Sequence, residues 1–207
     1  DLTRQQQEIV AQIQGLNIDD HTAAWVLAGA YAIAQLLKGQ VEPSQLISQI
    51  TAYLRISSQD SAMVKDELLS QLHLLETLVD RHASLSEATG KLSSLEPDQE
   101  IAIAIYCFLA TPDNIGLSLT RAIQMVGRSS IVGSITGMLS GAYNGILGLP
   151  VSWVQSLLVL NQGVEDEKSI PLLASHLLAI WAGAYPGSAV LENEDLVVSA
   201  PWVLRSR

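Results

Sequence analysis

Apolar residues recur along this chain with the three- and four-residue spacing of amphipathic helices, and no strand–turn–strand pattern is evident. Residues 3–14 predict a first helix. Residues 22–38 predict a second, which Asp19 or Asp20 caps at its start and Gly39 ends. The second helix contains the run AAWVLAGAYAIAQLL and is apolar on nearly every side, which indicates a central position in the fold.

Two further amphipathic helices are expected between residues 43 and 80. Pro43 suits the first turn of one helix, and residues 60–80 form the other. Their inward positions are Leu46, Ile47, Ile50 and Leu54 in the first, and Met63, Leu68, Leu72, Leu75 and Val79 in the second. The next segment, residues 81–98, contains Gly90, Pro97 and several serines, so we expect a loop with a helical turn.

The run IAIAIYCFLA within residues 99–110 predicts a buried element. Its β-branched residues also allow a buried strand, but its length and its alanines favour a helix. Thr111-Pro-Asp-Asn then forms a turn and a cap for a helix over residues 115–126. The expected packing positions of that helix are Leu117, Leu119, Ala122, Ile123 and Val126.

Glycines recur at every fourth position in the next segment, at Gly133, Gly137, Gly141 and Gly145. On a helix they form a ladder along one slowly rotating face. Each glycine in a helix interior costs about 1 kcal/mol relative to alanine, so the ladder predicts close packing against the helix backbone. The preceding loop, residues 127–130, leads into the N-terminus of this helix, where exposed amides can hold an anion or a catalytic group.

The chain then continues with a helix that contains Trp153, an acidic link at residues 165–168 and a helix at residues 171–185. Residues 186–207 lack helical periodicity and are expected to form an extended tail. The predicted fold is an all-α, single-domain orthogonal multi-helix bundle over residues 1–185, followed by that tail.

Composition narrows the class of protein. The 207 residues are 48% hydrophobic and 15% charged, which indicates a folded domain with a large core. A formal net charge of −10, with only 11 basic residues, argues against nucleic-acid binding. The single cysteine, Cys107, has no partner for an internal disulfide and lies in an apolar run, so we expect a buried thiol and a cytoplasmic protein.

No membrane span or leader is expected. Residues 131–164 carry no charge, which allows a spanning helix, but their Gly, Ser, Thr and Asn content and the break at Pro150 argue against one. The polar opening of the chain does not match a signal peptide. Because the sequence does not begin with Met, we expect it to start inside a longer protein.

Motifs for other chemistries are weak. The four histidines, His21, His73, His82 and His176, lack the spacing of helical metal ligands. Neither a Gly-x-Ser-x-Gly elbow nor a phosphate-binding Gly-Lys-Ser/Thr loop occurs in the sequence. Ser129 and Ser130 have no base next to them in sequence, so a role in helix capping is favoured over a role as nucleophile.

Residues 95–153 carry an ordered set of motifs. They are an apolar helix at 101–110, the turn Thr111-Pro-Asp-Asn, a helix at 115–126, the loop VGRSSI at 126–131, Gly141-Ala-Tyr-Asn-Gly145, Leu149-Pro150 and Trp153. This succession resembles the C-terminal part of the ADP-ribosylglycohydrolase family, of the dinitrogenase-reductase-activating glycohydrolase type. The resemblance implies an all-α fold and, in active members, hydrolysis that releases ADP-ribose from modified side chains. The family's N-terminal glycine-rich helix has no counterpart in this chain.

The resemblance also implies a metal site, at which this sequence departs from the family. Active members hold two magnesium ions between an N-terminal Thr-Asp-Asp loop and an Asp-x-Asp-Thr loop, and Mg²⁺ takes hard oxygen ligands. The positions of the second loop are here Arg128, Ser129, Ser130 and Ile131. Both carboxylates are replaced, one of them by a cation, and isoleucine has no oxygen. The resemblance therefore supports the fold and argues against the activity, so no cofactor is expected.

Asp19 and Asp20 are the candidates for what remains of the Thr-Asp-Asp loop, because they too precede a helix rich in Ala and Leu. An ordinary helix cap with two exposed carboxylates is the favoured explanation of the pair. If a pocket persists, Arg128 is expected to pair with Asp19 or Asp20 and to occupy the space of the metals. The candidate ligand or anion site is Arg128, Ser129, Ser130, Asp19 and Asp20.

Three functions are compatible with these residues. A catalytically degenerate member that acts as a protein-binding or structural module, with another protein as its partner, best explains a lost metal loop beside a preserved helix. The first alternative is a magnesium-dependent hydrolase that removes ADP-ribose from modified proteins with ligands from Asp19 and Asp20. The second is a metal-free binder in which Arg128 and the first amides of the ladder helix hold a phosphate or nucleotide. The oligomeric state is left open.

Overall fold

The computed structural model of the protein describes residues 19–39, 41–57, 62–92, 99–124, 129–160 and 174. Throughout these ranges the regular structure is helical and no strand is present, which confirms the predicted all-α class. The chain divides into two compact units, Asp1–Pro150 and Val151–Arg207. The predicted helices at residues 3–14 and 171–185, one helical residue excepted, and the predicted tail at 186–207 lie outside the described residues.

The described ranges contain α-helices and two short 3-10 helices. The α-helices are α1 Asp20–Lys38, α2 Leu46–Ser57, α3 Ala62–Asp80, α4 Leu85–Leu92, α5 Gln99–Leu109, α6 Ile115–Ile123, α7 Ser129–Asn144 and α8 Val151–Leu160. The 3-10 helices are Pro43–Gln45 and Ile146–Gly148. Helices α1–α7 belong to the first unit and α8 belongs to the second.

Helices α1 and α5 form the centre of the first unit. Helix α5 contacts α1, α3, α4, α6 and α7, and its residues 102–109 are all buried, so the apolar run is a buried helix as predicted. Helix α1 buries Trp25 completely. The Trp25 indole Nε1 donates a hydrogen bond to Oε1 of Gln71 on α3 at 3.0 Å. Because the buried N–H has a partner, the indole adds apolar contact without leaving an unsatisfied polar group.

The ends and inner faces of α1 and α2 follow the sequence pattern. Asp19 is the N-cap of α1, and Gly39 ends it with φ at 62°. All four predicted inward residues of α2 are buried. In α3, Leu68, Leu72 and Leu75 are buried as predicted, whereas the side chain of the predicted Met63 lies outside the described residues.

The segment predicted as a loop with a helical turn contains an additional helix, α4, of 8 residues. The Ser84 hydroxyl accepts a hydrogen bond from the Glu87 N–H at 3.2 Å and caps the helix. Ser-x-x-Glu is a sequence signature of a helix N-terminus, but Gly90 and the neighbouring serines outweigh it in a sequence-based prediction. Gly90 lies inside the helix and is exposed.

Helix α6 turns inward a different face from the one that its large residues predict. Leu117 and Ile123 were both expected to pack, but their exposed fractions are 52% and 66%. The buried positions are Ile115, Ser118 and Ala122. Ser118 occupies a core position because its hydroxyl donates to the Thr111 carbonyl at 2.8 Å. The prediction was wrong for Leu117 and Ile123 because the buried face of the helix includes the polar residue Ser118.

Helix α7 runs parallel to α5 and packs against both α5 and α6. Its Thr136 Oγ1 donates to the Ala104 carbonyl at 3.4 Å. Further along, the rings of Phe108 and Tyr143 meet edge to face, with their centroids 5.8 Å apart. The contacts advance together along both helices, which establishes the parallel direction.

The end of α7 is a tightly built corner. Gly145 has a φ of 63°, in the left-handed region that favours glycine. The Asn144 Nδ2 donates to the carbonyls of Pro112 and Ser140 at 2.8 and 2.9 Å, which ties the corner to the turn between α5 and α6. A Cβ on Gly148 would lie 2.5 Å from the Cβ of Asn144. Both glycines are therefore required by the corner itself.

The uncharged segment 131–164 is divided by this corner. Helix α7 ends at Asn144, and α8 begins at Val151. Within the ranges that the structure describes, no helix combines the length and the apolar character needed to cross a bilayer.

Candidate functional site

Asp19 serves as the N-cap of α1. Its Oδ1 accepts a hydrogen bond from the Thr22 backbone N–H at 2.9 Å, and its Oδ2 accepts one from the Thr22 hydroxyl at 2.7 Å. The backbone hydrogen bond first, and the hydroxyl second, hold the pKa of the Asp19 carboxyl below its usual value. The carboxylate is exposed and ionised, and both of its oxygens have donors. This geometry agrees with the helix-cap explanation.

The first turn of α7 carries three of the four positions that the family resemblance assigns to the metal-binding loop, Ser129, Ser130 and Ile131. Ser129 begins the helix, Ser130 is exposed, and Ile131 has an exposed fraction of 51%. The Ser130 carbonyl accepts a hydrogen bond from the Ser134 hydroxyl at 2.8 Å, one turn later. The side chains of this turn supply hydroxyl oxygens from the serines and none from Ile131.

Helices α1 and α7 contact each other, so the elements that carry the two candidate segments are neighbours in the fold. Asp20 is the first residue of α1. Arg128 lies outside the described residues, and its ion pair with Asp19 or Asp20 stays a prediction. Among the side chains that the structure places, no three His, Cys, Asp or Glu residues are grouped as a metal ion would require.

Cys107 lies in the buried centre of α5, as expected. Burial raises the pKa of its thiol to about 12, and the positive charge of Arg121 offsets only part of that shift. Because the thiolate is the reactive form, Cys107 is inert near neutral pH. The hydroxyl of the neighbouring Tyr106 donates to the Ala83 carbonyl and ties α5 to the connection between α3 and α4.

The glycine ladder of α7 shows less close packing among the described residues than the sequence predicts. A Cβ on Gly137 would lie 3.5 Å from Cδ2 of Leu119 on α6, which is an ordinary contact. At Gly133 and Gly141 a Cβ would meet no atom of the described residues within 4 Å. Among the described residues, a Cβ would therefore fit at all three positions, and close packing does not require glycine at any of them. Each of these helical glycines is unfavourable relative to alanine.

Large apolar side chains at the surface are concentrated in the same part of the sequence as these glycines. In the described part of Asp1–Pro150 the strongly exposed ones are Leu37, Leu117, Ile123, Ile131, Met138, Ile146 and Leu147. All of them except Leu37 follow the start of α6. Residues 114–164 also contain no Asp or Glu, although the chain has 21 acidic residues. The outward residues Leu117, Ile123, Ile131 and Met138 of α6 and α7 are termed the aliphatic face.

The aliphatic face is absent from the sequence-based candidates because two of its members were assigned to the core. Leu117 and Ile123 resemble core residues by size, and only the position of Ser118 reveals which face of α6 is buried. The clue available in the sequence was the charge distribution, since interface centres are depleted in charged residues.

Comparison with known protein families identifies the same family as the motifs in the second half of the chain. The ADP-ribosylglycohydrolase family model matches residues 4–186. No curated protein and no solved structure matches the chain. Because the family match covers most of the 207 residues, the chain belongs to the ADP-ribosylglycohydrolase family.

Proposed function

We propose that this protein is a family member without hydrolase activity that serves as a protein-binding or structural module in the cytoplasm. The observation that carries the proposal is the first turn of α7, where Ser130 and Ile131 stand in place of the second Asp and the Thr of the metal loop. Mg²⁺ needs an octahedral set of oxygen ligands, usually with carboxylates that offset its charge. Isoleucine has no oxygen, and the arginine at position 128 brings a positive charge.

The geometry of Asp19 supports the same proposal from α1. Its two carboxylate oxygens accept hydrogen bonds from Thr22, and these bonds cap the helix. A metal ion at this carboxylate would have to share or displace the cap. Asp19 therefore has a structural role that does not depend on a metal.

The aliphatic face supports the binding role. Exposed apolar residues on two packed helices are candidate contact residues for a protein partner where they form a contiguous patch. Leu117, Ile123, Ile131 and Met138 are each at least half exposed, and no acidic residue lies in their helices. Two of these four residues, Leu117 and Ile123, were expected in the core and are exposed instead.

Turnover of a protein carrying ADP-ribosylated arginine, in the presence of Mg²⁺, tests the proposal. The motif order resembles the dinitrogenase-reductase-activating type, which makes ADP-ribosylarginine the appropriate substrate. An active family member is the positive control, and we expect no release of ADP-ribose above the blank. Release that requires Mg²⁺ and disappears in Asp20→Ala would overturn the proposal and support the hydrolase alternative.

A further inference from the structure

Two tyrosine rings are stacked where α1 packs against α2. The ring centroids of Tyr31 on α1 and Tyr53 on α2 lie 4.1 Å apart, and the ring planes differ by 18°. Aromatic pairs in proteins usually prefer edge-to-face or offset arrangements, with centroids about 4.5–7 Å apart. The two phenol rings are therefore nearly parallel and closer together than most aromatic pairs.

This tyrosine stack is only partly buried. Both rings pack against the hydrophobic core, yet each residue keeps part of its surface exposed. Burial first, and the charge of Tyr53 second, raise the pKa of the Tyr31 hydroxyl, so this phenol is neutral near neutral pH. The stack thus presents a protonated phenol that a small oxidant in solution can reach.

The other tyrosines that the structure describes have different surroundings. Tyr106 is buried in the centre of α5. Tyr143 is partly buried, and its ring meets that of Phe108 edge to face, with centroids 5.8 Å apart. Among the tyrosines that the structure places, two phenol rings face each other only at Tyr31 and Tyr53.

Stacked phenols have a geometry that favours oxidative coupling. Loss of one electron and of the phenolic proton turns a tyrosine into a phenoxyl radical, whose unpaired electron is shared between the oxygen and the ortho carbons. With nearly parallel rings and centroids 4.1 Å apart, the ortho carbons of each ring lie close to carbons of the other ring. Two radicals held in this way couple without a diffusional encounter, so the step is effectively unimolecular.

We propose that Tyr31 and Tyr53 form an oxidation site, at which a one-electron oxidant couples them into a dityrosine crosslink between α1 and α2. Two equivalents of the oxidant remove one electron from each phenol, and the two phenolic protons go to solvent. A carbon–carbon bond then joins one ortho carbon of each ring, and the hydrogens of these two carbons move to the oxygens and restore both phenols. The crosslink involves neither Mg²⁺ nor ADP-ribose, so it is independent of the proposed loss of hydrolase activity.

Oxidation of the full chain by a photoexcited ruthenium complex, with persulfate as the electron acceptor, tests the crosslink. Trypsin cleaves after Lys38 and Arg55 and therefore places the two tyrosines in different peptides unless a crosslink joins them. We expect mass spectrometry to find the two peptides joined, with the sum of their masses less two hydrogen atoms, in protein that remains a single chain on a denaturing gel. Absence of this species, under conditions in which free N-acetyltyrosine forms dityrosine in a parallel reaction, would overturn the proposal.

Three variants assign the crosslink to the stack. Tyr31→Phe and Tyr53→Phe keep a ring in the stack but lack the phenolic oxygen, so each is expected to abolish the joined peptides. Tyr143→Phe is the matched control, because it removes a partly buried phenol on α7 and leaves the stack intact. Its yield of joined peptides is expected to equal that of the wild type. Retention of the dityrosine fluorescence of single chains in both stack variants would contradict the assignment.

Oxidation of the unfolded chain shows whether the native stack is needed. In urea above the unfolding transition the two rings are no longer held together, and the yield of joined peptides is expected to fall by about 10-fold. An equal yield from folded and unfolded protein would show that coupling does not depend on the stack, and would overturn the proposal.

Discussion

Helices α1–α5 and the pair α6–α7 share one core but present different surfaces to solvent. Among the described residues of α1–α5, Leu37 is the one strongly exposed large apolar side chain, and acidic residues are frequent. Helices α6 and α7 contain no carboxylate and carry the aliphatic face. Both regions contribute buried residues to the same core, so the difference lies in the polarity of their described outer surfaces.

The two regions also differ in how they place glycine. At the end of α3, His82 has a φ of 49°, and the bonds from His82 N–H to the Val79 carbonyl and from Ala83 N–H to the Leu78 carbonyl form a Schellman motif. Glycine is the preferred residue at that position. In α7, by contrast, Gly141 occupies helical backbone that alanine would favour. Among the described residues, nothing requires glycine at this position.

Substitution of a buried leucine in α1 or in α7 is expected to have the largest effect on stability. Leu36 and Leu139 are buried, whereas their neighbours Leu37 and Met138 are more than half exposed. Leu36→Ala and Leu139→Ala are each expected to lower the free energy of unfolding by about 2–5 kcal/mol, because each leaves a cavity. Leu37→Ala and Met138→Ala are expected to stay within about 0.5 kcal/mol in dilute solution, measured by urea denaturation. A loss in Met138→Ala as large as in Leu139→Ala would mean that the aliphatic face is buried in the monomer.

The corner after α7 is expected to depend on Asn144. Asn144→Ala removes the hydrogen bonds to the Pro112 and Ser140 carbonyls, and we expect a loss of about 1–3 kcal/mol in the free energy of unfolding. The exposed Gln124 at the end of α6 supplies the control, since Gln124→Ala is expected to change little. Equal effects of the two variants would show that the corner is not held by this amide.

Substitutions to or from glycine are expected to change the free energy of unfolding by smaller amounts. Two of the three are expected to stabilise the protein. His82→Gly is expected to stabilise the protein by about 1 kcal/mol because it relieves a left-handed residue that has a Cβ. Gly141→Ala is expected to stabilise the dilute monomer by about 0.5–1 kcal/mol through helix propensity. Gly145→Ala should instead destabilise it, because Gly145 has a φ of 63°. Thermal unfolding measures all three, and destabilisation by Gly141→Ala would reveal a packing role within the chain.

The smallest expected effect is the pH dependence of the α1 cap. The pKa of Asp19 is lowered in the folded protein, so its contribution to stability is present above the unfolded value of about 3.9 and is lost as pH falls through the folded pKa. Asp19→Asn should therefore melt below the wild type at pH 7, and the two melting temperatures should converge as the pH falls from the unfolded value through the folded pKa. A difference that is constant over this range would show that the charge of Asp19 does not contribute.

Local rules in the sequence account for much of this fold. The caps Asp19, Gly39 and Asn114 and the inward stripe of α2 follow from side-chain chemistry and helical periodicity within a few residues. Helix α4 was missed although Ser84 and Glu87 mark its start, because composition alone suggested a loop. Helix caps and helix starts depend on neighbours in the sequence. They can therefore be predicted from the sequence when capping residues are considered together with composition.

The buried face of α6 and the state of the candidate site depend on tertiary contacts. Ser118 is buried only because the Thr111 carbonyl lies within reach of its hydroxyl, and periodicity does not contain that fact. The excess glycines of α7 become informative only when the space around Gly133 and Gly141 is known. The proposed replacement of metal ligands at Ser130 and Ile131, in contrast, rests on the order of motifs in the sequence alone.

We propose that the segments at the start of α1 and α7, to which the family resemblance assigns the magnesium site, do not bind magnesium in this protein. Calorimetric titration of Mg²⁺ into the protein tests this proposal directly. We expect no saturable heat, and no increase in melting temperature with Mg²⁺. Two magnesium ions bound per chain, with the binding lost in Asp20→Ala, would contradict it.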